Sequence, residues 1–363
     1  MHMNELDRVN VSIAHDYLLQ CGGAERVVEV WARQFPKARI STLAYNPEAT
    51  FPTFSNRIIH TALPNKSIFR NIEPLLPVLP SLSRRTRIQN ADLAIISTSG
   101  FAHLFDRDCP AIVYFHSPAR WLYAANHYRM GLSIPKRIGL ALATPILKAL
   151  DKIDVGPATS FVANSRVTQD RLRNAYGIDA PVVNPPVNAI AAQYEDLPAV
   201  VPSEYILTVA RPRGYKNVDL ASNCARILGI PLVVAGSGSE GYSDGKWTYG
   251  VGRVNDGVLR SLYRNARALI LTGFEDFGLT AAEANYEGTP IIATPVGGYL
   301  ETVTPGVNGY LAEDESVGAL VSCGKSVLET SWHELDHFAS ERFSNATHFR
   351  ELGRLAQEVM AHG

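Results

Sequence analysis

Cysteine is scarce in this chain. Its 363 residues hold four, Cys21, Cys109, Cys224 and Cys323, with no Cys-x-x-Cys pair. A chain of this length needs no disulfide staples, so a reducing compartment, the cytoplasm, is expected. Long apolar runs are missing as well: none approaches the ~20 residues that span a bilayer. The opening MHMNELDRVN has acidic residues and no apolar stretch, which excludes a secretory signal there. Nor is charge of one sign in excess, since 34 Lys and Arg face 35 Asp and Glu for a net charge of -1. No long-range field would gather nucleic acid or an acidic membrane. The expected partners therefore exclude nucleic acid and include at most a peripheral membrane contact, at the inner face. Repeats and low-complexity tracts are also absent.

What is present is the composition of a globular protein, 46% hydrophobic and 19% charged, in a chain long enough for two cores. Short β-branched runs alternate with helix-period segments, the pattern of parallel sheets covered by helices, and the fold class is α/β. The runs of the first half are Val11 to Ala14, Ile40 to Tyr45, Leu93 to Ser97, Ala111 to Phe115 and Ser160 to Asn164. Those of the second half are Tyr205 to Ala210, Pro231 to Gly236, Ala268 to Gly273 and Pro290 to Thr294. Proline-rich, aperiodic sequence near residues 186–204 reads as a linker. The expected organisation is a first domain over 1–185, the linker 186–204, a second domain over 205–340 and a helix over 341–363. The least polar helical stretch, Ile138 to Ile146, contains Pro145 and is flanked by Lys136, Arg137, Lys148 and Lys152. It is expected to be a core helix rather than a membrane-surface one.

Three strings carry chemistry. Gly22 and Gly23 open a helical segment directly after the first strand and its loop, and backbone N–H groups at such a helix start attract anions. Val27, Val28, Trp31 and Phe35 would form its buried face. Arg211 and Lys216 follow the first strand of the second half, at the sheet edge where α/β proteins bind ligands. Two fixed cations there would stabilise charge building on a departing diphosphate. The most specific string runs from Phe274 to Gly298. Glu275 sits in a loop, a helix is expected over Leu279 to Tyr286, and Glu283 falls on its second turn. A loop carboxylate with the N–H groups of Phe277, Gly278 and Leu279 offers both acceptors and donors to sugar hydroxyls, and Glu283 suits a ribose diol.

Three other patterns mislead. GSGSEG, Gly236 to Gly241, matches G-x-G-x-x-G, but the sequence after it has no amphipathic face to make the helix that receives a pyrophosphate. Asp106 and Asp108 form a D-x-D with no strand to place it at a sheet edge. His333 to His337 spell H-E-x-x-H in a segment read as helical, formally a zinc motif. Asp336 puts a charge inside it, and no third ligand is obvious, although Glu351 and Glu358 are within reach. The expectation is no catalytic metal and no cofactor.

Together these features resemble the family-4 retaining glycosyltransferases. The strings that carry the likeness are Gly22 to Glu25, Tyr114 to Pro118, Asn164 to Gly177 and Asn184 to Val187. Arg211 with Lys216, Gly252 to Asp256, and the pair Glu275 and Glu283 complete it. Ser97 to His103 and His116 to Tyr123 look most like the bacterial mannosyl- and hexosyltransferase branch. The resemblance implies a GT-B fold, two Rossmann-like domains facing across a cleft. The first would take the acceptor, the second the nucleotide-sugar donor, and the last helix would return to the first. It implies that Arg211 and Lys216 hold the diphosphate and Glu283 the ribose. Glu275 with the Phe277 to Leu279 backbone would hold the sugar and Val254 the base. His116 would approach the sugar near C6, and Gly23 would close on the phosphates. The spacer Pro212 to Tyr215 is bulkier and more cationic than the family's. The implied reaction moves a hexose-type sugar from a UDP- or GDP-sugar to a glycan, lipid-linked or natural-product acceptor, by front-face attack with retention. Two rivals remain: a nucleotide-sugar epimerase of the same fold, and a non-catalytic nucleotide-sugar-binding protein.

Overall fold

A computed structural model describes residues 9–64, 72, 75–123, 134–152, 159–187, 192–210 and 216–361. The chain divides into two compact units, Met1–Pro185 with His348–Gly363, and Pro186–Thr347.

The first unit is a six-stranded parallel sheet of β1 (Val11–His15), β2 (Ile40–Thr42), β3 (Ile59–Thr61), β4 (Leu93–Thr98), β5 (Ala111–Phe115) and β6 (Thr159–Ala163), in the order β3-β2-β1-β4-β5-β6. Its helices include α1 (Gly23–Gln34), α2 (Leu79–Arg85), α3 (Ile134–Leu150) and α4 (Arg166–Tyr176). Side chains alternate across each strand, so the sheet has two cores. Ile13, Ile95, Ile112 and Tyr114 pack on one face with Val27, Val28, Trp31 and Phe35 of the α1 segment. Ala94, Ile96, Val113 and Phe115 pack on the other. The first core also takes Phe349, Leu352, Leu355 and Val359 from the long helix Asn345–Ala361.

The second unit repeats the plan with β7 (Ile206–Val209), α5 (Val218–Leu228), β8 (Leu232–Ala235), β9 (Thr248–Gly252), α6 (Asp256–Asn265), β10 (Ala268–Leu271) and α7 (Leu279–Tyr286). β11 (Ile291–Ala293), β12 (Gly309–Leu311), α8 (Val317–Glu329) and α9 (Leu335–Phe343) follow, and α10 is the helix Asn345–Ala361. The strand order is β12-β11-β10-β7-β8-β9, all parallel. Read outward from the first strand, both sheets have the same order. Residues 192–204 pack on this unit: Ala192, Leu197 and Val201 flank its core, and the Tyr194 hydroxyl donates to Glu287 Oε2 at 2.8 Å.

Three sequence expectations are corrected. The stretch from Ile138 to Ile146 lies in α3, which packs Leu140, Ala143 and the next residue, Leu147, against the core but leaves Leu142 and Ile146 exposed, so it is a core helix on one face only. His333 to His337 is not one helical segment. Glu334 has φ 55 and stands before α9, which starts at Leu335, so the two histidines do not share a helical face. Strands β3, β9 and β12 were not among the expected runs.

Candidate active site

In a doubly wound sheet ligands bind where consecutive strands turn to opposite sides of the first one. In the second unit that point lies between β7 and β10. The loops leaving these two strands bring Lys216 and Glu275 into an ion pair whose side chains are largely shielded from water. Shielding strengthens the pairing of opposite charges relative to bulk water.

The backbone around each partner is held. Thr272, just after β10, donates from Oγ1 to the carbonyls of Lys216 and Asn217 at 3.0 and 2.9 Å. Asn217 takes a left-handed conformation, φ 43, and its Oδ1 accepts from Leu220 N to start α5. On the other side, Gly298 N–H donates to the Glu275 carbonyl at 2.8 Å. A side chain at Gly297 would collide with the Glu275 backbone, and one at Gly298 with that of Phe277. Only glycine allows this close approach.

Gly278, φ 90, leads into α7 without any side-chain cap, so the positive helix start is left to backbone groups. Glu283 sits on the second turn, half-buried, and accepts from the Tyr263 hydroxyl at 3.0 Å. Val254 is half-buried in the loop between β9 and α6, where Asn255 caps α6 through Val258 N at 2.8 Å. Arg211 and the spacer Pro212 to Tyr215 lie outside the described residues.

The glycine-rich decoy folds onto its own sheet. Gly238 precedes a single 3-10 turn, Ser239–Tyr242, and Ser239 Oγ donates to Val234 O at 2.8 Å and accepts from Gly252 N at 2.9 Å. Asp106 and Asp108 both flank the Arg87 guanidinium, at 3.8 and 2.9 Å. His337 lies 3.4 Å from Glu341. Among the described residues no three His, Cys, Asp or Glu side chains gather as a metal would require.

In the first unit the equivalent point lies between β1 and β4, and protein groups fill it. The Asp16 carboxylate accepts four backbone N–H groups, Ser99 and Gly100 on Oδ2 at 2.6 and 2.9 Å, Phe101 and Ala102 on Oδ1 at 2.7 Å each. That nest fixes the loop after β4. At the start of α1, Glu25 is buried and its carboxylate folds back against Gly22, where a Cβ would meet it, while Gln20 Nε2 donates to it at 3.0 Å. The helix start thus has a carboxylate of its own, and Gly23 is exposed.

His116 follows β5 directly and is buried. Its Nε2 lies 2.9 Å from Ser97 Oγ, which lies 3.0 Å from His15 Nδ1. His15 Nδ1 is also 3.2 Å from the Ser97 carbonyl, an acceptor, so it carries a proton. The hydroxyl then donates to His116 Nε2, which leaves the ring proton of His116 on Nδ1. Burial, with His15, His348 and Arg120 nearby, pushes the His116 pKa down to about 3, and the ring is neutral. His348, in α10, bridges Trp31 Nε1 at 2.9 Å and the Asn184 carbonyl at 2.8 Å, and burial lowers its pKa to about 4. His15, Asp16, Ser97 and His348 were not singled out from the sequence. For the first three the one local signal is a polar residue at the end of an apolar run, and His348, inside a helix, has none.

Residues 21–189 match the family model for glycosyltransferase family 4, and residues 192–342 that for glycosyl transferases group 1. The D-inositol 3-phosphate glycosyltransferase of Actinosynnema mirum is 34% identical over 193 residues, 52% of this chain and 41% of that protein's length. Among solved structures, HepE of Anabaena in complex with UDP and glucose superposes with a TM-score of 0.64 at 16% identity, covering 96% of this chain and 99% of that one. The lipopolysaccharide outer core galactosyltransferase WaaB gives 0.64 at 17% identity, with 96% and 99% coverage. At such identities the superpositions speak for the fold alone. With only residues 190 and 191 left between the two family matches, and two Rossmann-like units under them, the chain belongs to the family-4 glycosyltransferases, on the GT-B fold.

Proposed function

We propose that the protein transfers a hexose-type sugar from a UDP- or GDP-sugar to a glycan, lipid-linked or natural-product acceptor, with retention and without a metal, in the cytoplasm. The observation that carries this is the meeting of Lys216 and Glu275 at the crevice between β7 and β10, beside the uncapped start of α7. Lys216, with Arg211, faces the diphosphate. Glu275 and the N–H groups of Phe277, Gly278 and Leu279 hold the sugar, Glu283 the ribose and Val254 the base. His116, a neutral donor, contacts the sugar, and Gly22 and Gly23 approach the phosphates. HepE, solved with UDP and glucose, supports a nucleotide-sugar donor.

In this reaction the bond from the sugar C1 to the diphosphate oxygen breaks and its electron pair stays on that oxygen. The acceptor hydroxyl oxygen bonds C1 on the same face, and its proton passes to the leaving phosphate. Negative charge grows on the diphosphate, which Lys216 meets as it releases Glu275 to the sugar hydroxyls.

A thermal-shift screen of UDP-, GDP- and ADP-sugars identifies the donor, and NMR of the glycoside then reads the anomer formed. An inverted product, an epimerised donor or binding without turnover would each overturn the reading. Transfer should continue in excess EDTA; activity lost in chelator and restored by a metal would refute the metal-free route.

A further inference from the structure

α3 is apolar on two faces, one packed inward and one facing out. Leu147 is buried, and Leu140 and Ala143 are half-buried against the first unit's core. Leu142 and Ile146 are nevertheless 75% and 65% exposed, and Ala141, Pro145, Ala149 and Leu150 are exposed with them. At 3.6 residues per turn Leu142, Ala149 and Ile146 share one face. Single exposed apolar side chains are ordinary, but a contiguous stripe marks a contact surface.

Its rim is of one sign. Lys148 and Lys152 are exposed beside it, as are Arg84 and Arg85 of α2. Arg84 Nη2 donates to the carbonyls of Leu150 and Lys152 at 3.2 and 3.1 Å, which fixes its guanidinium at the end of the helix. Between residues 134 and 152 the sole acidic residue is Asp151. Its carboxylate is turned inward, with no exposure, and accepts from the Tyr123 and Tyr176 hydroxyls at 2.7 Å each. His103 Nε2 lies 3.0 Å from its other oxygen. The exposed face of the helix therefore carries apolar groups and cations.

We propose that this face of α3 seats the first unit on an anionic lipid bilayer, the helix lying in the boundary between headgroups and acyl chains. Lys148, Lys152, Arg84 and Arg85 would meet lipid phosphates while Leu142, Ile146 and Leu150 enter the acyl region. Among the described residues no helix is long and apolar enough to cross a membrane, so the contact lies on the surface. The charge pattern selects lipid over a second copy of the chain. Two such faces brought together would oppose like charges.

The test is flotation with phosphatidylcholine vesicles, pure or containing about one third phosphatidylglycerol. It needs no donor or acceptor, so its outcome is separate from the reading of the active site. The protein should float with the anionic vesicles, less so in high salt, and not with the neutral ones. The double variant Leu142→Gln, Ile146→Gln should lower partitioning by ~10-fold or more. Lys148→Gln with Lys152→Gln should lower it by roughly 10-fold. The melting curve should stay unchanged in the first variant and shift only slightly in the second, which loses the contact of Lys148 Nζ with the Tyr123 ring, 5.1 Å to its centroid. Equal binding to both vesicle types, binding indifferent to both variants, or no binding would overturn the proposal. A dimer in sedimentation that Leu142→Gln, Ile146→Gln dissociates, without vesicle binding, would assign the face to a second copy instead.

Discussion

The two units share one strand order and furnish its crevice differently. In the first, Asp16 and Glu25 supply the crevice with negative charge from within, and four N–H groups are spent on Asp16 alone. In the second, the loops leaving β7 and β10 bring a cation and a carboxylate together, Lys216 and Glu275. A Rossmann-like topology thus provides a place for an anion without requiring one. What differs is the partner each crevice gives its carboxylate, backbone N–H groups for Asp16 and a lysine for Glu275.

The sharpest way to break this comparison is Lys216→Ala. If the second crevice is where diphosphate charge develops, turnover should fall roughly 10²- to 10³-fold while binding of the nucleoside portion changes little. Unchanged kcat with a raised KM would reduce Lys216 to a substrate-holding group.

His116→Ala is expected to cost ~10²-fold in turnover, the scale of one lost donor, with nucleotide affinity nearly unchanged. Wild-type turnover in that variant would remove the first unit from the chemistry. A collapse in stability alongside the lost turnover would make the Ser97 and His15 chain structural.

The acid response should separate the units by stability. His116 and His348 have folded pKa values near 3 and near 4, below the ~6.5 of an unfolded histidine. The unfolded chain therefore binds more protons at pH 4 to 6.5. Stability is complete above that window and is lost as pH falls through it, by about 2 to 3 kcal/mol at pH 5.5 for the two rings together. Denaturation followed by Trp31 and Trp121, in a protein with Trp247 and Trp332 replaced by Phe, reads the first unit. His348→Gln should roughly halve the slope, and a slope unaffected by it would exclude this ring.

The smallest effect belongs to the second unit's scaffold. Gly298→Ala forces a methyl group onto the Phe277 backbone, a cost of about 2 kcal/mol, and should displace the Glu275 loop. A crystal structure of the variant with that loop in place and full stability would show that the approach has slack.

Much of this was legible beforehand, and the reasons are specific. Ala111–Phe115 and Leu279–Tyr286 were read at their observed bounds because a run of buried β-branched and aromatic residues, or a helix led in by Gly278, is a local signal. The strand Thr248–Gly252 was missed because TYGVG looks like a loop. Gly250 is there because a side chain would strike the carbonyl of Ser239, in the 3-10 turn that packs beside the strand. Asp16 escaped because its partners are backbone N–H groups 83 to 86 positions away, and amides carry no letter in a sequence. α3 was misread because apolar content alone does not say which side of a helix faces inward.

The division of the chain also bears on how it is made. The second unit is one continuous stretch, whereas the core of the first takes Phe349, Leu352, Leu355 and Val359 from a helix synthesised after all of it. On the ribosome the later half can close before the earlier one. Trp31 and its neighbours on α1 await their last partners until residues 348–361 have emerged, a window in which a chaperone would find exposed apolar surface to hold.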